Sequence, residues 1–123
     1  MKPDAFISFL PATDLTASAD FYERVMGLDL TLDQGTCRIY GITSSAYLGV
    51  CQREPFDDVQ PVITTIVADD VDGWYRRITD AGWTDVTEPE HSETYKLVHI
   101  WVKDPDGNQL EVQRFDDPDW ATG

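Results

Sequence analysis

Three side chains that could bind or act on a small molecule occur close together near the end of the sequence. His99, Trp101 and Glu111 fall within the stretch from Tyr95 to Phe115. An imidazole and a carboxylate can hold or move a proton, and an indole can stack on a planar or cationic ligand. We therefore expect a binding or catalytic site to be organised around this stretch.

The same stretch predicts a β-hairpin that brings these side chains together. The segment 104–107 reads Asp-Pro-Asp-Gly, with Pro at the second position of a type I turn and Gly where a positive φ is favoured. Alternate residues of a strand point the same way, so His99 and Trp101 share a face before the turn, as do Glu111 and Gln113 after it. We expect His99 to lie close to Glu111.

Composition narrows the classes of partner. The 123 residues carry a formal net charge of −14, which makes nucleic acid an unfavourable partner. The acidity has two interpretations, a solvated coat that aids solubility or a negative field that attracts a cationic ligand. No stretch has the length of a membrane span, and the first residues lack the plan of a signal peptide. We expect a soluble cytoplasmic protein with no membrane partner.

The two cysteines, Cys37 and Cys51, lie symmetrically about the turn at 43–46. If that turn closes a hairpin, they are cross-strand neighbours. Two cysteines in a chain without an export signal do not indicate a disulfide framework. We therefore expect buried reduced thiols.

One pattern of elements occurs twice. A strand, a cap at Asp14 and a helix ending at Gly27 are followed by three short strands, and the same order starts again at the cap Asp70. The predicted strands are 5–11, 28–33, 37–42, 47–52, 61–68, 83–87, 95–103 and 108–115, with Thr16 as an alternative first cap. The predicted organisation is module one 1–52, linker 53–60, module two 61–115 and tail 116–123, with Trp120 folded back. This is an α+β chain of two βαβββ modules.

The segments ATDLTASADFYERVMGLDL and VKDPDGNQLEVQRF, in this order and on a βαβββ repeat, resemble the vicinal oxygen chelate superfamily. That superfamily includes glyoxalase I, bleomycin-resistance proteins, fosfomycin-resistance enzymes and extradiol dioxygenases. The resemblance covers essentially the whole chain. It implies that each module curls its sheet into a half-barrel and that two modules, from one chain or from two in a homodimer, face each other across a cleft.

The resemblance also implies where a metal would be bound. Metal-dependent members have a His or Gln seven residues before the helix-capping Asp of each module and a Glu three residues after the Asn of the turn. Those positions are Ile7, Ile63 and Glu111 here. Isoleucine has no lone pair and one carboxylate cannot supply three ligands, so we expect no metal and no cofactor. A metal site relocated to His99 and Glu111 is the alternative.

If the inward faces implied by the resemblance apply, apolar side chains and a few polar groups line the cleft, as is typical of small-molecule sites. The lining would comprise Ile7, Phe9, Leu48, Val50, Ile63, Thr65, His99, Trp101, Glu111 and Gln113, with Tyr95 and Trp120 at the rim.

Two small-molecule functions fit these observations, and a third possibility is a subunit or sensor whose cleft is collapsed and whose surface is the working part. The first is a metal-free protein, similar to the bleomycin-resistance branch, that sequesters a cationic or aromatic compound in the clefts of a homodimer. The second is an enzyme of the superfamily, a lyase, isomerase, dioxygenase-like enzyme or thiol transferase, using a relocated metal or an acid/base pair at His99 and Glu111. Neither hypothesis names the ligand.

Overall fold

The computed structural model describes residues 3–54 and 62–120. These residues form two compact units, one comprising 3–54 with Asp104–Asn108 and the other 62–103 with 109–120. The strands are β1 (Phe6–Ala12), β2 (Asp29–Asp33), β3 (Cys37–Gly41), β4 (Ala46–Gln52), β5 (Ile63–Val67), β6 (Glu90–Ser92), β7 (Leu97–Lys103) and β8 (Gln109–Phe115). The helices are α1 (Leu15–Asp20), which continues as a π-helix over Phe21–Val25, and α2 (Val71–Asp80).

Each unit contains one four-stranded mixed sheet. The strand order is β1-β4-β3-β2 in the first sheet and β5-β8-β7-β6 in the second. In both, the strand before the helix pairs parallel with the last strand of its module, and the remaining pairs are antiparallel. The α+β prediction of two βαβββ modules is confirmed. The predicted boundaries 1–52, 53–60, 61–115 and 116–123 stay predictions, because most of the linker and the end of the tail lie outside the described residues.

The helix caps have the expected chemistry. The Asp14 carboxylate accepts hydrogen bonds from the Thr16 and Ala17 amides, so Asp14 and not Thr16 is the first cap. Asp70 accepts from the Gly73 amide in the same way. Glycines with positive φ, Gly27 at 70° and Gly82 at 86°, follow the helices.

The first helix widens before it ends, which its sequence period did not predict. The Met26 amide donates to the Phe21 carbonyl five residues earlier, at 2.9 Å. The wider turn accompanies two adjacent buried pairs, Phe21 with Tyr22 and Val25 with Met26, each residue at most 1% exposed.

The predicted turn after β7 is present and belongs by its contacts to the first unit. The Gly107 amide donates to the Asp104 carbonyl at 3.0 Å, and Gly107 has a φ of 84°. The buried Asp104 carboxylate accepts from the Asp106 and Asn108 amides, from the Asn108 side chain and from the Tyr22 hydroxyl, at 2.8–2.9 Å. Burial raises the pKa of Asp104, and these hydrogen bonds oppose the rise.

A second set of contacts fixes the same turn. Asp106 accepts hydrogen bonds from the amide and hydroxyl of Thr13 and from the Ser18 hydroxyl. The Asn108 side-chain nitrogen donates to the Pro11 carbonyl at 3.0 Å. The polar residues of this turn therefore serve to hold it against β1 and α1.

The segment 83–87, predicted as a strand, is not one. Val86 makes only an isolated bridge with Val102, and the strand that pairs with the outer edge of β7 is β6. The segment is held instead by irregular contacts, among them the hydrogen bond from the Trp83 indole to the Lys103 carbonyl at 2.9 Å. The three residues of β6 are too few to show an alternating pattern in the sequence.

The expectation of reduced thiols is wrong. Cys37 and Cys51 lie directly opposite each other on β3 and β4, with Cα atoms 4.1 Å apart, and form a disulfide. The Gln52 amide donates to the Thr36 carbonyl, so the hydrogen bond between the strands is made by the neighbouring pair. Because the two kinds of pair alternate along an antiparallel ladder, Cys37 and Cys51 form a non-hydrogen-bonded pair. Such antiparallel pairs have the closest side chains.

In the described ranges 3–54 and 62–120, no helix has the length and apolar character needed to cross a membrane.

Candidate functional site

The second sheet collects most of the predicted polar residues on one face. In the register of β7, β8 and β5, Trp101 is opposite Glu111, which is opposite Thr65, and His99 is opposite Gln113. Paired residues point to the same side of a sheet, so all five share a face, which we call the polar face. The alternate residues Ile100, Val112 and Ile66 are buried on the other side of the sheet.

Glu111 is the centre of the polar face. Its side chain is 11% exposed, and it accepts a hydrogen bond from the Thr65 hydroxyl at 2.9 Å and one from His99 Nδ1 at 2.6 Å. With the Gln113 amide nitrogen turned toward it, that nitrogen lies 3.1 and 3.0 Å from its two oxygens. Three donors thus converge on one carboxylate, which offsets the cost of removing it from water.

The same contact fixes the orientation of His99. An ionised carboxylate can only accept, so Nδ1 is the donor and, in the neutral ring, Nε2 carries the lone pair. The His99 side chain is 15% exposed, and Nε2 makes no hydrogen bond with any residue that the structure describes. The expectation that His99 and Glu111 are close is met, and the pair can accept a proton or a hydrogen bond through Nε2.

Trp101 lies beside this pair. Its ring centroid is 5.3 Å from that of His99, with the ring planes inclined by 56°. Thr87 holds the Trp101 backbone on the side of β7 that faces away from β8. The Thr87 hydroxyl accepts a hydrogen bond from the Trp101 amide, and the Thr87 amide donates one to the Trp101 carbonyl, both at 2.9 Å. The irregular segment that replaces the predicted strand therefore positions the indole.

Two further residues lie on this face and were not predicted. Val67 is 49% exposed and continues the alternation of Ile63, 51% exposed, and Thr65 along β5, so parity alone could have found it. Glu90 is exposed and opposite His99, but its position depends on β6, a strand of three residues that is too short to show an alternating pattern. The polar face thus has apolar flanks on β5 and an additional carboxylate beyond His99.

The two predicted rim residues differ in their packing. Trp120 folds back onto Phe115, with ring centroids 4.1 Å apart and planes inclined by 24°, and it is 44% exposed. Phe115 follows Gln113 in the alternation of β8, so this stack is at the end of the polar face. Tyr95 is 71% exposed, and its amide donates to the Ser92 hydroxyl.

Residues predicted from the first module are divided between two faces of its sheet. Ile7 and Phe9 are opposite Tyr47 and Gly49 and are exposed, with the Phe9 ring over Gly49 where a side chain would otherwise lie. The prediction that Leu48 and Val50 share that face is wrong. They are opposite Ser8 and Leu10 and only 2% and 1% exposed, on the side of the sheet that is buried.

The donor set does not fit the family's divalent metal. Ile7 and Ile63, at two of the implied ligand positions, offer no donor atom, and Glu111 already accepts from three neighbours. Within residues 3–54 and 62–120, no three His, Cys, Asp or Glu side chains are grouped so that they could hold a metal ion. We therefore derive no chemistry through a metal, and the absence of a cofactor stays a prediction.

The fold and the sequence agree on the class of protein. The family model of the Glyoxalase/Bleomycin resistance protein/Dioxygenase superfamily matches residues 5–112. The chain belongs to this superfamily, and its two βαβββ modules have the corresponding fold.

Solved structures show the same fold at low sequence identity. A bleomycin resistance determinant encoded on the transposon Tn5 aligns with a TM-score of 0.77 at 20% identity, over 90% of this chain and 97% of that one. Lactoylglutathione lyase from Agrobacterium tumefaciens aligns with a TM-score of 0.74 at 23% identity, over 98% and 100%. A glyoxalase/bleomycin resistance protein/dioxygenase from Nocardioides aligns with a TM-score of 0.77 at 16% identity, over 100% and 91%. No curated protein matches the sequence.

Proposed function

We propose that this chain is a metal-free binding protein that sequesters a small cationic or aromatic compound at the polar face. The observation that carries the proposal is the buried Glu111 carboxylate, which is held by Thr65, His99 and Gln113 beside the Trp101 indole. A few oriented polar groups next to an aromatic and apolar surface are the usual composition of a small-molecule site.

Charge supports a cationic ligand. Among the described residues, Glu111 contacts no Lys or Arg side chain, and its one basic partner is His99, which donates to it from Nδ1, so no Lys or Arg charge cancels that of the carboxylate. Glu90 adds a second carboxylate on the same face, and the chain has a formal net charge of −14. An electron-rich indole attracts a cation by about 0.5 to 2 kcal/mol, more when both are desolvated.

The direct test is a thermal-shift screen followed by calorimetric titration, with a library weighted toward aromatic amines and cationic glycopeptides. Bleomycin belongs in the library because a structural relative is a bleomycin resistance determinant. A ligand at a hundred times its Kd stabilises the protein by about 2.7 kcal/mol. We expect Trp101→Leu and Glu111→Gln to weaken binding by about tenfold or more. Glu93→Gln, which removes an exposed carboxylate in the turn after β6, should leave it unchanged.

If sequestration serves antibiotic resistance, expression of the chain should raise the concentration of bleomycin that a sensitive bacterium tolerates, and Trp101→Leu should abolish the effect. A hit that binds equally well to Trp101→Leu and to the wild type would contradict the proposed site. A library without a single stabilising compound would contradict the proposed function.

A homodimer is part of the proposal. Phe9, Leu32 and Ile7 are 49%, 50% and 40% exposed and share one face of the first sheet, through the register that joins β1, β4, β3 and β2. Clustered exposed apolar side chains favour association. Sedimentation velocity should give twice the chain mass, and Phe9→Ser should lower it. A wild-type chain that sediments as a monomer at tens of micromolar would refute this part.

A cytoplasmic location also stays a prediction. The Cys37–Cys51 disulfide weighs against it, because disulfides persist mainly in oxidising compartments. Alkylation of thiols in intact cells, followed by mass spectrometry, distinguishes a bonded pair from two thiols.

The alternative is an enzyme, a lyase, isomerase, dioxygenase-like enzyme or thiol transferase, with a relocated metal or an acid/base pair. The 2.6 Å contact between His99 Nδ1 and Glu111 favours it, since a carboxylate-oriented imidazole is an effective general base. Elemental analysis of protein purified without chelator separates the two functions. A stoichiometric divalent metal that Glu111→Gln removes would contradict the metal-free proposal.

A further inference from the structure

We infer that the ligand donates a hydrogen bond to His99 Nε2, so that the compounds taken up are aromatic molecules with an N–H or O–H group close to the ring. This inference rests on the proposed binding function and specifies the chemistry of the same site. It separates compounds that are only cationic or only aromatic from those that also carry a donor.

The first step is that Glu111 has little capacity left for a ligand. Its Oε1 accepts from the Thr65 hydroxyl and the Gln113 amide, at 2.9 and 3.1 Å, and its Oε2 accepts from His99 Nδ1 and the same amide, at 2.6 and 3.0 Å. Its side chain is 11% exposed. The carboxylate therefore acts on a ligand through its neighbours rather than by direct contact.

The second step is that His99 transmits this charge as a hydrogen-bond acceptor. Because Nδ1 donates to the carboxylate, the neutral ring has its lone pair on Nε2. A short hydrogen bond that the ring donates to an ionised carboxylate polarises the ring and strengthens the acceptor on its far side. Nε2 has no hydrogen-bond partner among the described residues, so a bound molecule can satisfy it.

The third step is the position of the indole. The Trp101 ring centroid lies 5.3 Å from the His99 ring centroid, on the same face. A molecule that stacks on the indole and also reaches Nε2 needs its donor within one or two atoms of its own ring. Benzylamine and phenol have this arrangement.

Two matched pairs of probes test the donor separately from the charge and the ring. Benzylamine and trimethylbenzylammonium both carry a positive charge and a phenyl ring, but only benzylamine has N–H donors. Phenol and anisole differ in the same way without a charge. Affinities are measured by NMR titration of the wild type, His99→Leu, Trp101→Leu and His91→Leu. His91 is the control, because it is opposite Val98 on the other face of the sheet.

We expect each donor to bind the wild type and His91→Leu about tenfold more tightly than its methylated twin, the ratio that one hydrogen bond to a polarised acceptor supplies. His99→Leu should bring both ratios close to one. The ring nitrogen resonances of histidine in the unliganded wild type provide a measurement that needs no variant. In the neutral ring, the resonance of His99 Nδ1 should be that of a protonated nitrogen and the resonance of Nε2 that of an unprotonated one. A bound hydrogen-bond donor should shift the Nε2 resonance.

The outcomes distinguish this inference from the function on which it rests. If trimethylbenzylammonium and anisole bind as tightly as benzylamine and phenol, and Trp101→Leu weakens the binding of all four, the inference fails and the binding function stands. If Nε2 carries the proton in the neutral ring, the inference fails as well. If neither the four probes nor any compound of the library perturbs the resonances of His99 and Trp101, the proposed function fails and the inference fails with it.

Discussion

Replacing Glu111 by Gln tests the network on which the site depends, because the change keeps the shape of the side chain and removes its charge. Three hydrogen bonds to the carboxylate, from Thr65, His99 and Gln113, become bonds to a neutral amide. Bonds to a charged group contribute about 1.5 to 3 kcal/mol and neutral bonds about 0.5 to 1.5 kcal/mol, so each loses about 1 kcal/mol. The amide nitrogen also faces the donor on His99, which must reorient.

Removing the buried charge of Glu111 has the opposite effect and raises the free energy of unfolding. The Glu111 side chain is only 11% exposed, and a neutral amide is less costly to bury than a carboxylate. The hydrogen-bond losses of about 3 kcal/mol, reduced by this gain, give an expected decrease of about 1 to 2 kcal/mol in the free energy of unfolding. Urea titration followed by tryptophan fluorescence measures it, and Glu93→Gln, an exposed control, should change stability by less than about 0.5 kcal/mol.

A double-mutant cycle with Thr65→Val makes this prediction specific. If the Thr65 hydroxyl donates to the carboxylate, Thr65→Val should cost about 1 kcal/mol in the wild type and clearly less in Glu111→Gln, with a coupling energy of at least about 0.5 kcal/mol. Additive effects would refute the hydrogen bond. A Glu111→Gln variant as stable as the wild type would refute the claim that three donors hold the carboxylate.

Three further predictions concern other parts of the fold. Cys37→Ser should lower the free energy of unfolding by about 3 kcal/mol, the chain-entropy value for a loop of about 15 residues, and reductant should destabilise only the wild type. Burial, and secondarily a hydrogen bond to Glu23, raises the pKa of Tyr40 from 10.0 to about 12. The fold therefore favours the neutral phenol. The contribution of Tyr40 to the free energy of unfolding is fully present below pH 10 and is lost as the pH rises to 12. Solvent screening reduces the full effect of such a pKa difference, so the stability advantage of the wild type over Tyr40→Phe should shrink by about 1 to 2 kcal/mol across that window, as measured by urea titration. Gly49→Ala should displace the Phe9 ring, so its cost in thermal melts should largely vanish in a Phe9→Ala background.

The sequence predicts the polar face well because one local feature determines it. The turn at 104–107 sets Lys103 opposite Gln109, and every later pair of β7 and β8 follows from this register. The proximity of His99 and Glu111 therefore needed no knowledge of distant contacts. Once the turn is recognised, alternation along two strands is sufficient.

The errors arise where local pattern is ambiguous or where pairing partners are distant in sequence. β4 reads Ala-Tyr-Leu-Gly-Val-Cys, apolar at nearly every position, so alternation does not say which face Leu48 takes. Only the parallel pairing with β1 settles it. The disulfide likewise depends on the register of β3 with β4, and β6 is too short to carry a period.

The two modules are built on one plan, yet only the second carries polar groups at its centre. Thr65 and Glu111 form a directly opposed pair in the second sheet, and Phe9 and Gly49 form the matching pair in the first.

At the next pair along each sheet, the second module again has polar side chains where the first does not. His99 and Gln113 of the second sheet correspond to the disulfide-bonded Cys37 and Cys51 of the first. The first sheet thus has an aromatic ring over a glycine and a covalent bond where the second has a carboxylate and an imidazole. Under the proposed function, the first module contributes stability and association and the second module binds the ligand. The positions that argue most strongly for a function are therefore those at which the repeat is broken.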